Sequence, residues 1–402
     1  SFETPTTTRG DRFIFQFADK LIGLKKIEEA INVGREKLGM PPIPALKSAY
    51  LGEESIAGKV GETSRVFQRE EIDPIVEDLV AINTEKSTQE ARKEFDDYLT
   101  LRHAIERNKR ISEVDPKNFA DGGAGSILVG DQEVRLTNDY VKKRMKEEFN
   151  LDWNDSKGEW TGGNKRAKEL EKIAKKTDAI IQGTLDLQLE SGLHSQEDHD
   201  MLSGLFKYYV PLKGKAVEDD FAELYSATAG TSGNLGTKGA EGKRALGRKS
   251  AAESPLATLI ADRNRQIARA AKNVNIGQRL YELAKENPNT DVWEVVDAKN
   301  PKFDRIVESS YTYIPTGQKV ANIPEGTSKE ERKNYVRRTK LTAKSAKEVG
   351  RTNPDLFGVK INGEQAFIEI KDPDLKKALL NLDADNTSKI IQNLGRVNRF
   401  FS

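Results

Sequence analysis

The sequence predicts a mainly α fold, a multi-helix bundle-like architecture with a small β-containing insert near 291–370. Three observations lead there. Apolar residues recur at helical spacing through most of the first 290 residues. Helix-start signals stand where several of those patterns begin. From about residue 291 the pattern alternates, as strands do, until helical spacing returns at 373–400.

The first helix is expected over 11–39, where Phe13, Phe17, Leu21, Leu24 and Ile31 fall near a 3.6-residue period and Gly39 stops the pattern before "MPPIP". A second covers about 45–59, and Pro74 opens another in "PIVEDLVAIN". "STQE" at 87–90 reads as a capping box: Ser87 caps the backbone and Glu90 reaches back. The helix it starts is expected to run to about Ile111. "DGGAGSILVGDQEVRLTND" at 121–139 breaks the helices with glycine and a short hairpin. Helices resume at about 138–149 and 163–190. Ser195 with Asp198 starts one more, which Pro211 ends.

Residues 214–250 are a low-complexity, Gly/Lys-rich segment, expected to be a flexible loop. From Pro255 to about Asn287 comes the longest helical signal. "VWEVVD" and "YTYIP" then alternate like strands, and Asn362-Gly363 inside "VKINGEQAFIEI" suits a type I′ hairpin. The expected organisation is a helical region over 1–120, a central helical region over 121–213, the loop at 214–250, and a long helix with the β insert and a C-terminal helix over 251–402.

Composition narrows the functional classes. Lys+Arg number 65 and Asp+Glu 64, a formal net charge of +1, so contact with a polyanion has to come from local patches. Cysteine is absent, which excludes disulfides, thiolate metal sites and cysteine nucleophiles. No apolar run approaches the roughly 18 residues of a membrane span, so no integral membrane segment is expected. The chain begins "SFETPTTTRG", without methionine, and reads as a piece of a longer polypeptide or a processed one. G-x-S-x-G, HExxH and GxGxxG do not occur. No catalytic residue, metal site or cofactor is therefore assigned.

Two constellations stand out. The first is basic. Leu256, Ile260, Arg263, Ile267, Ala270, Val274, Gly277, Tyr281 and Ala284 follow a heptad spacing, while Arg265, Arg269, Lys272 and Arg279 fall on the other side. The preceding loop adds Lys243, Arg244, Arg248 and Lys249. Between 238 and 279 ten Lys/Arg face only Glu241, Glu253 and Asp262, a net of +7. The bland reading is a bundle helix with a solvated basic back; the functional one is a surface for nucleic-acid phosphates. "GAEGKRA" is not a P-loop: Thr237 stands where the leading glycine belongs, and Arg244 where the magnesium-binding hydroxyl belongs. The second constellation lies in "EFDDYLTLRHAIERNKRI" at 94–111. Phe95, Tyr98, Leu99 and Ile105 make an apolar face that also carries Arg102 and Glu106. Buried charges are rarely left unpaired, so the two are expected to form a buried structural ion pair or to bind other buried polar groups. "HSQEDHD" at 194–200 reads as an acidic helix start rather than a metal site.

"YLTLRHAIERN", "DGGAGS", "YYVPLKG", "KRALGRKSAAESPLATL", "RAAKNVNIGQRLYELAKENP", "DPDLKKALLNL" and "LGRVNRFFS" occur in this order. Together they resemble the large polyvalent protein-associated domains of bacteriophages, over roughly 11–401. These segments are not catalytic motifs. The resemblance implies a segment of a very large virion-carried protein, delivered with the genome into the host envelope or cytoplasm. It implies oligomeric partners among the other virion and ejection proteins; the basic residues between 238 and 279 add phage DNA as a candidate partner, through non-specific phosphate contacts. Two other readings stay open: an accessory domain of an injected anti-restriction protein, and a cell-wall-cleaving transglycosylase region that uses Glu106 or another glutamate as acid.

Overall fold

The computed structural model describes residues 22–83, 85–114, 123–212, 254–296, 306–313, 319–320, 336–343 and 356–372, together with Leu375 and Leu379. The fold is mainly α with small antiparallel sheets.

Helix α1 spans Ile22–Lys37, and Gly39 leaves it with φ +69°, the left-handed geometry that ends a helix cheaply at glycine. Helix α2 spans Ala49–Phe67. Its first turn is capped twice. Ser48 Oγ accepts from Leu51 N at 3.0 Å. The buried Glu28 carboxylate of α1 accepts from Ser48 Oγ (2.6 Å) and from the amides of Ala49 (2.8 Å) and Tyr50 (3.1 Å). A carboxylate at a helix N-terminus opposes the positive end of the dipole, and here it also fastens α1 to α2. A π turn, Gln68–Ile72, carries α2 directly into α3, Asp73–Ala81. Pro74 thus opens α3 as expected, but within a continuous helical run.

Helix α4, Thr88–Val114, begins at the expected capping box: Glu90 N donates to Ser87 Oγ at 3.3 Å, and Ser87 N donates to the Glu90 carboxylate at 2.9 Å. The glycine-rich break forms a hairpin of β1, Gly123–Val129, and β2, Gln132–Thr137. Helix α5, Asn138–Phe149, follows, then a second hairpin of β3, Leu151–Asn154, and β4, Glu159–Gly162. That second hairpin is one the sequence pattern does not announce, beside the expected hairpin at 121–139 and the expected insert near 291–370. It is held by the cross-strand pair Trp153–Trp160, ring centroids 5.1 Å apart. Helix α6 is Lys165–Glu190 and α7 is Gln196–Leu205; Ser195 and Asp198 form the capping box of α7.

The long helix is observed in two parts, α8, Pro255–Lys272, and α9, Arg279–Glu286, joined without a break by a π turn over Asn273–Gln278. That turn corrects the heptad pattern. A π turn adds a residue to the helical cycle, so the buried face shifts. Leu256, Ile260, Ile267, Ala270, Gly277 and Ala284 are buried as expected and Tyr281 packs against the core, but Val274 is exposed, and Ile276, Leu280 and Leu283 join the buried face beyond the turn.

The β insert consists of two sheets. In one, β5 (Trp293–Val296), β10 (Glu364–Ile370) and β9 (Leu356–Ile361) lie in the order β5-β10-β9. In the other the order is β7-β6-β8, from Lys319–Val320, Ile306–Tyr313 and Val336–Ala343. Asn362 (φ 49°) and Gly363 (φ 81°) make the type I′ turn between β9 and β10. At Gly363 a Cβ would lie 2.3 Å from Ser195 N, so the turn docks against the start of α7.

Two hydrophobic cores cut across the expected segment boundaries. The first joins Phe67–Ile105 of α2 to α4 with residues 127–180 and with Leu256, Leu259, Ile260 and Ile267 of α8. The second joins Leu24, Ala49 and Ile56 with Ile276, Leu280 and Leu283, Trp293, Phe357, Ile368, Leu375 and Leu379. Among the described residues no helix is long and apolar enough to cross a membrane. The expected 214–250 loop and most of the expected 373–400 helix lie outside the described residues.

Candidate functional site

Arg102 sits on the inward face of α4 with its side chain 4% exposed. It does not pair with Glu106, which corrects the first form of that expectation. Its guanidinium reaches α6 instead: Nη1 and Nη2 donate to the two Asp178 oxygens at 2.9 and 2.7 Å, and Nη2 donates also to Glu171 at 3.0 Å. The planar fork matches a carboxylate, which makes this geometry stronger than a single contact one turn along its own helix. Tyr98 Oη donates to the other Glu171 oxygen at 2.9 Å, and the Tyr208 ring lies 4.5 Å from the guanidinium carbon. Burial opposes the charge on Arg102, but Asp178 and then Glu171 more than offset it, so its pKa stays above the ordinary range. Asp178 and Glu171 are the partners that sequence reasoning missed. The available signal was their seven-residue spacing, which places two acids on one face of α6.

Glu106 faces a different element. Its two oxygens accept from the backbone amides of Lys207 and Tyr208, both at 3.0 Å, just beyond α7. The buried His103 ring stands 3.7 Å from the same carboxylate, edge-on to Phe206 and Tyr209. Burial alone would raise the Glu106 pKa. The His103 ring and the two amides outweigh it, and the carboxyl is held below its ordinary value. Burial lowers the pKa of His103. Asp96, about a turn and a half before Arg102, shifts the opposite way, as its neighbour Asp97 also does: burial pushes Asp96 up to about 6, against hydrogen bonds from Ser254 and Leu256 N (3.0 Å). It is sealed under the first turn of α8.

The expected basic surface is divided by the structure. Lys243, Arg244, Arg248 and Lys249 lie outside the described residues. Arg265, Arg269, Lys272 and Arg279 are all half-buried. Arg265 pairs with Asp262 at 2.6 Å, and Arg269 donates to Gln266 Oε1 at 3.2 Å. Lys272 also has a partner within the fold. Arg279 donates to the Ser48 carbonyl at 3.0 Å and to Asn275 Oδ1 at 3.1 Å, inside the junction with α2. The four therefore do not form one solvated stripe, because the π turn carries Arg279 to another neighbour. Arg263, in the packing face, donates to the Gly183 carbonyl at 2.5 Å.

In "HSQEDHD", His199 Nε2 lies 2.8 Å from Asp186 and Nδ1 lies 3.2 Å from Asp200, so the ring links α7 to α6. Hydrogen bonds to Asp186 and then Asp200 raise its pKa. The described residues hold no group of three or more His, Asp or Glu placed to bind a metal ion. A cavity of about 50 Å³ between α3 and the start of α4 is lined by Val76, Leu79, Asn83 and Arg92 among others. It has room for a water or two, far below the few hundred Å³ of a small-molecule site. No protein-family model matches the chain, and neither a curated protein nor a solved structure does.

Proposed function

We propose that the chain is a non-catalytic structural and interaction segment of a large bacteriophage internal virion protein, carried in the virion and delivered with the genome into the host envelope or cytoplasm. The observation that carries this reading is how the inward charges are spent. Arg102 ties α4 to α6, Glu106 ties α4 to the segment after α7, Asp96 ties α4 to α8, and Arg263 ties α8 to α6. Each crosses a junction between elements far apart in sequence and meets another protein group. Groups held this way set the geometry of a scaffold and are not free to act on a substrate. The glutamate first considered as a general acid fits that part poorly. A general acid needs a raised pKa, and Glu106 has a lowered one.

The ordered segments from "YLTLRHAIERN" to "LGRVNRFFS" support the phage assignment by resemblance. Its partners are other virion proteins in an oligomeric assembly, and phage DNA through phosphate contacts. Mass spectrometry of purified virions, before and after DNA release, tests the reading. Peptides of this chain are expected in full virions and depleted from emptied capsids. Their absence from virions, or their retention in the shell after ejection, would overturn delivery.

A further inference from the structure

Helix α6 carries a charge ladder that the sequence analysis did not single out. Its inner face buries Ala167, Leu170, Ile173, Ala174, Thr177 and Ile180. The helical period then turns Lys165, Lys168, Lys172 and Lys175 to the outside, at spacings of three, four and three. All four are exposed. Lys165 makes one loose contact, 3.8 Å to Glu169, with its side chain 93% exposed. Lys168, Lys172 and Lys175 have no ion-pair or hydrogen-bond partner among the described residues. The acids that border the ladder are already paired: Glu171 and Asp178 with Arg102, Glu169 with Arg166 and loosely with Lys165, Asp78 with Lys176, and Asp186 with His199. The other lysine-rich helix differs: on α5, Lys142, Lys143 and Lys146 each face a carboxylate within 4 Å.

We infer that the α6 ladder is the surface on which this chain takes the sugar-phosphate backbone of duplex DNA. The dimensions and charge are complementary. From Lys165 to Lys175 the helix rises about 15 Å. Over that length one strand of a duplex presents about four phosphates, at roughly 3.4 Å of axis each. Four ammonium groups therefore meet about four phosphates, with no acidic side chain left over to repel them. Lysines bind phosphates as point charges, and the ladder holds no Arg, Asn or Gln fork to fix a base edge by two bonds, so binding is expected to vary little with sequence. The surface stands on a fully helical element packed by six buried residues on its back. It is thus preformed, unlike the half-buried and paired arginines of α8.

This inference rests on the reading that the chain travels with DNA. Fluorescence anisotropy with a labelled 30-base-pair duplex tests it at 50 and 200 mM salt. Four phosphate contacts predict an affinity loss of about 100-fold between the two salt concentrations. Lys168→Gln with Lys172→Gln and Lys175→Gln is expected to reduce that loss to about threefold, since each contact contributes about one unit of salt slope. A charge-matched control, Lys143→Gln with Lys146→Gln and Lys157→Gln, is expected to bind like the parent. Glutamine keeps helix propensity, and the single change Lys172→Glu serves as a second variant, expected to weaken binding at 50 mM salt by about tenfold. Three results would each overturn the inference: equal weakening by the control set, unaltered binding by the ladder variants, or a parent that binds phosphatidylserine vesicles but not the duplex. In the second case DNA contact itself stands and only its location fails. Absence of the chain from virions would sink the delivery reading and leave the ladder untouched.

Discussion

Arg102 and Glu106 lie one turn apart on the same helix and answer to different masters. Arg102 supplies a fork to two carboxylates of α6; Glu106 supplies two oxygens to two backbone amides. Their substitutions should differ accordingly. Arg102→Met strands Asp178 and Glu171, which are about one-third exposed and can recover some hydration. A loss of about 3 kcal/mol is expected, at the lower end of the range for breaking a buried pair. Glu106→Gln keeps one carbonyl acceptor for one of the two amides, and about 1–2 kcal/mol is expected. Urea unfolding of both variants checks the order; a costlier Glu106→Gln would mean that the amide clasp, not the fork, holds α4. Asp96 supplies the pH dependence. Its folded pKa of about 6 exceeds its ordinary value, so the folded state binds the proton more tightly. The stability this adds is complete below about pH 4 and is lost as pH rises through about 6. Glu94, Glu106 and Asp186 are shifted downward and act in the opposite sense, so the comparison must be with a variant. Asp96→Asn is expected to gain on the parent by about 2–3 kcal/mol between pH 4 and pH 7. A difference that does not change with pH would show that Asp96 keeps its charge throughout.

Among the elements, α2 shows how closely two helical segments approach. A Cβ on Gly52 would fall 2.0 Å from the Asn275 carbonyl oxygen, in the π turn between α8 and α9. Lys59 Nζ donates to Asn275 Oδ1 at 3.0 Å across the same junction. Gly52→Ala must therefore push the two backbones apart, and a loss of about 2–3 kcal/mol is expected. Gly58 lies on the same helix with open space where a Cβ would go, and Gly58→Ala is expected to gain about 0.5–1 kcal/mol through helix propensity. Thermal melts of the two variants should shift in opposite directions; shifts of the same sign would mean that the α2 contact is loose. Such features mark the limit of what the sequence makes legible. The capping boxes at Ser87 and Ser195, the Asn362-Gly363 turn and the helical runs within the described residues all rest on local chemistry, and these are observed. The π turns rest on packing. Asn273, for example, donates to the carbonyls of Ser191 and Lys360 and accepts from Lys360 N, pairing a helix with the edge of β9. No periodicity in the chain signals a partner 87 residues away. The β3–β4 hairpin was hidden for another reason: its strands are four residues each, too short for alternation to be distinguished from a loop. The site followed the same rule. Arg102 and Glu106 were legible as charges on an apolar face, their partners were not, and the α6 lysines were visible only once burial fixed which face of the helix is outward.

At the scale of the molecule the question is whether two cores make one cooperative unit. Two elements bridge them. Helix α2 contributes Ala49 and Ile56 to the second core and Phe67 to the first; the α8–α9 helix contributes Leu256 to Ile267 to the first and Ile276 to Ala284 to the second. Neither helix can melt at one end without exposing apolar surface in its own core, and the π turn over Asn273–Gln278 sits where the α8–α9 helix passes from the first core to the second. Unfolding one core would also strip Asn273 and Gln278 from the Ser191 and Lys360 carbonyls, which join α6 to β9. A single transition is therefore expected. The tryptophans are placed to test it. The chain has three: Trp153 and Trp160 pack on the first core, and Trp293 is buried in the second. In a Trp153→Phe/Trp160→Phe variant, fluorescence reports only the second core; in Trp293→Phe, only the first. Within each variant the urea midpoint from fluorescence should coincide with that from far-ultraviolet circular dichroism, which follows helices of both cores. Coincidence in both variants means that the bridging helices make one folding unit. Separation in either would mean that the cores unfold independently and that α2 and the α8–α9 helix act as hinges between them.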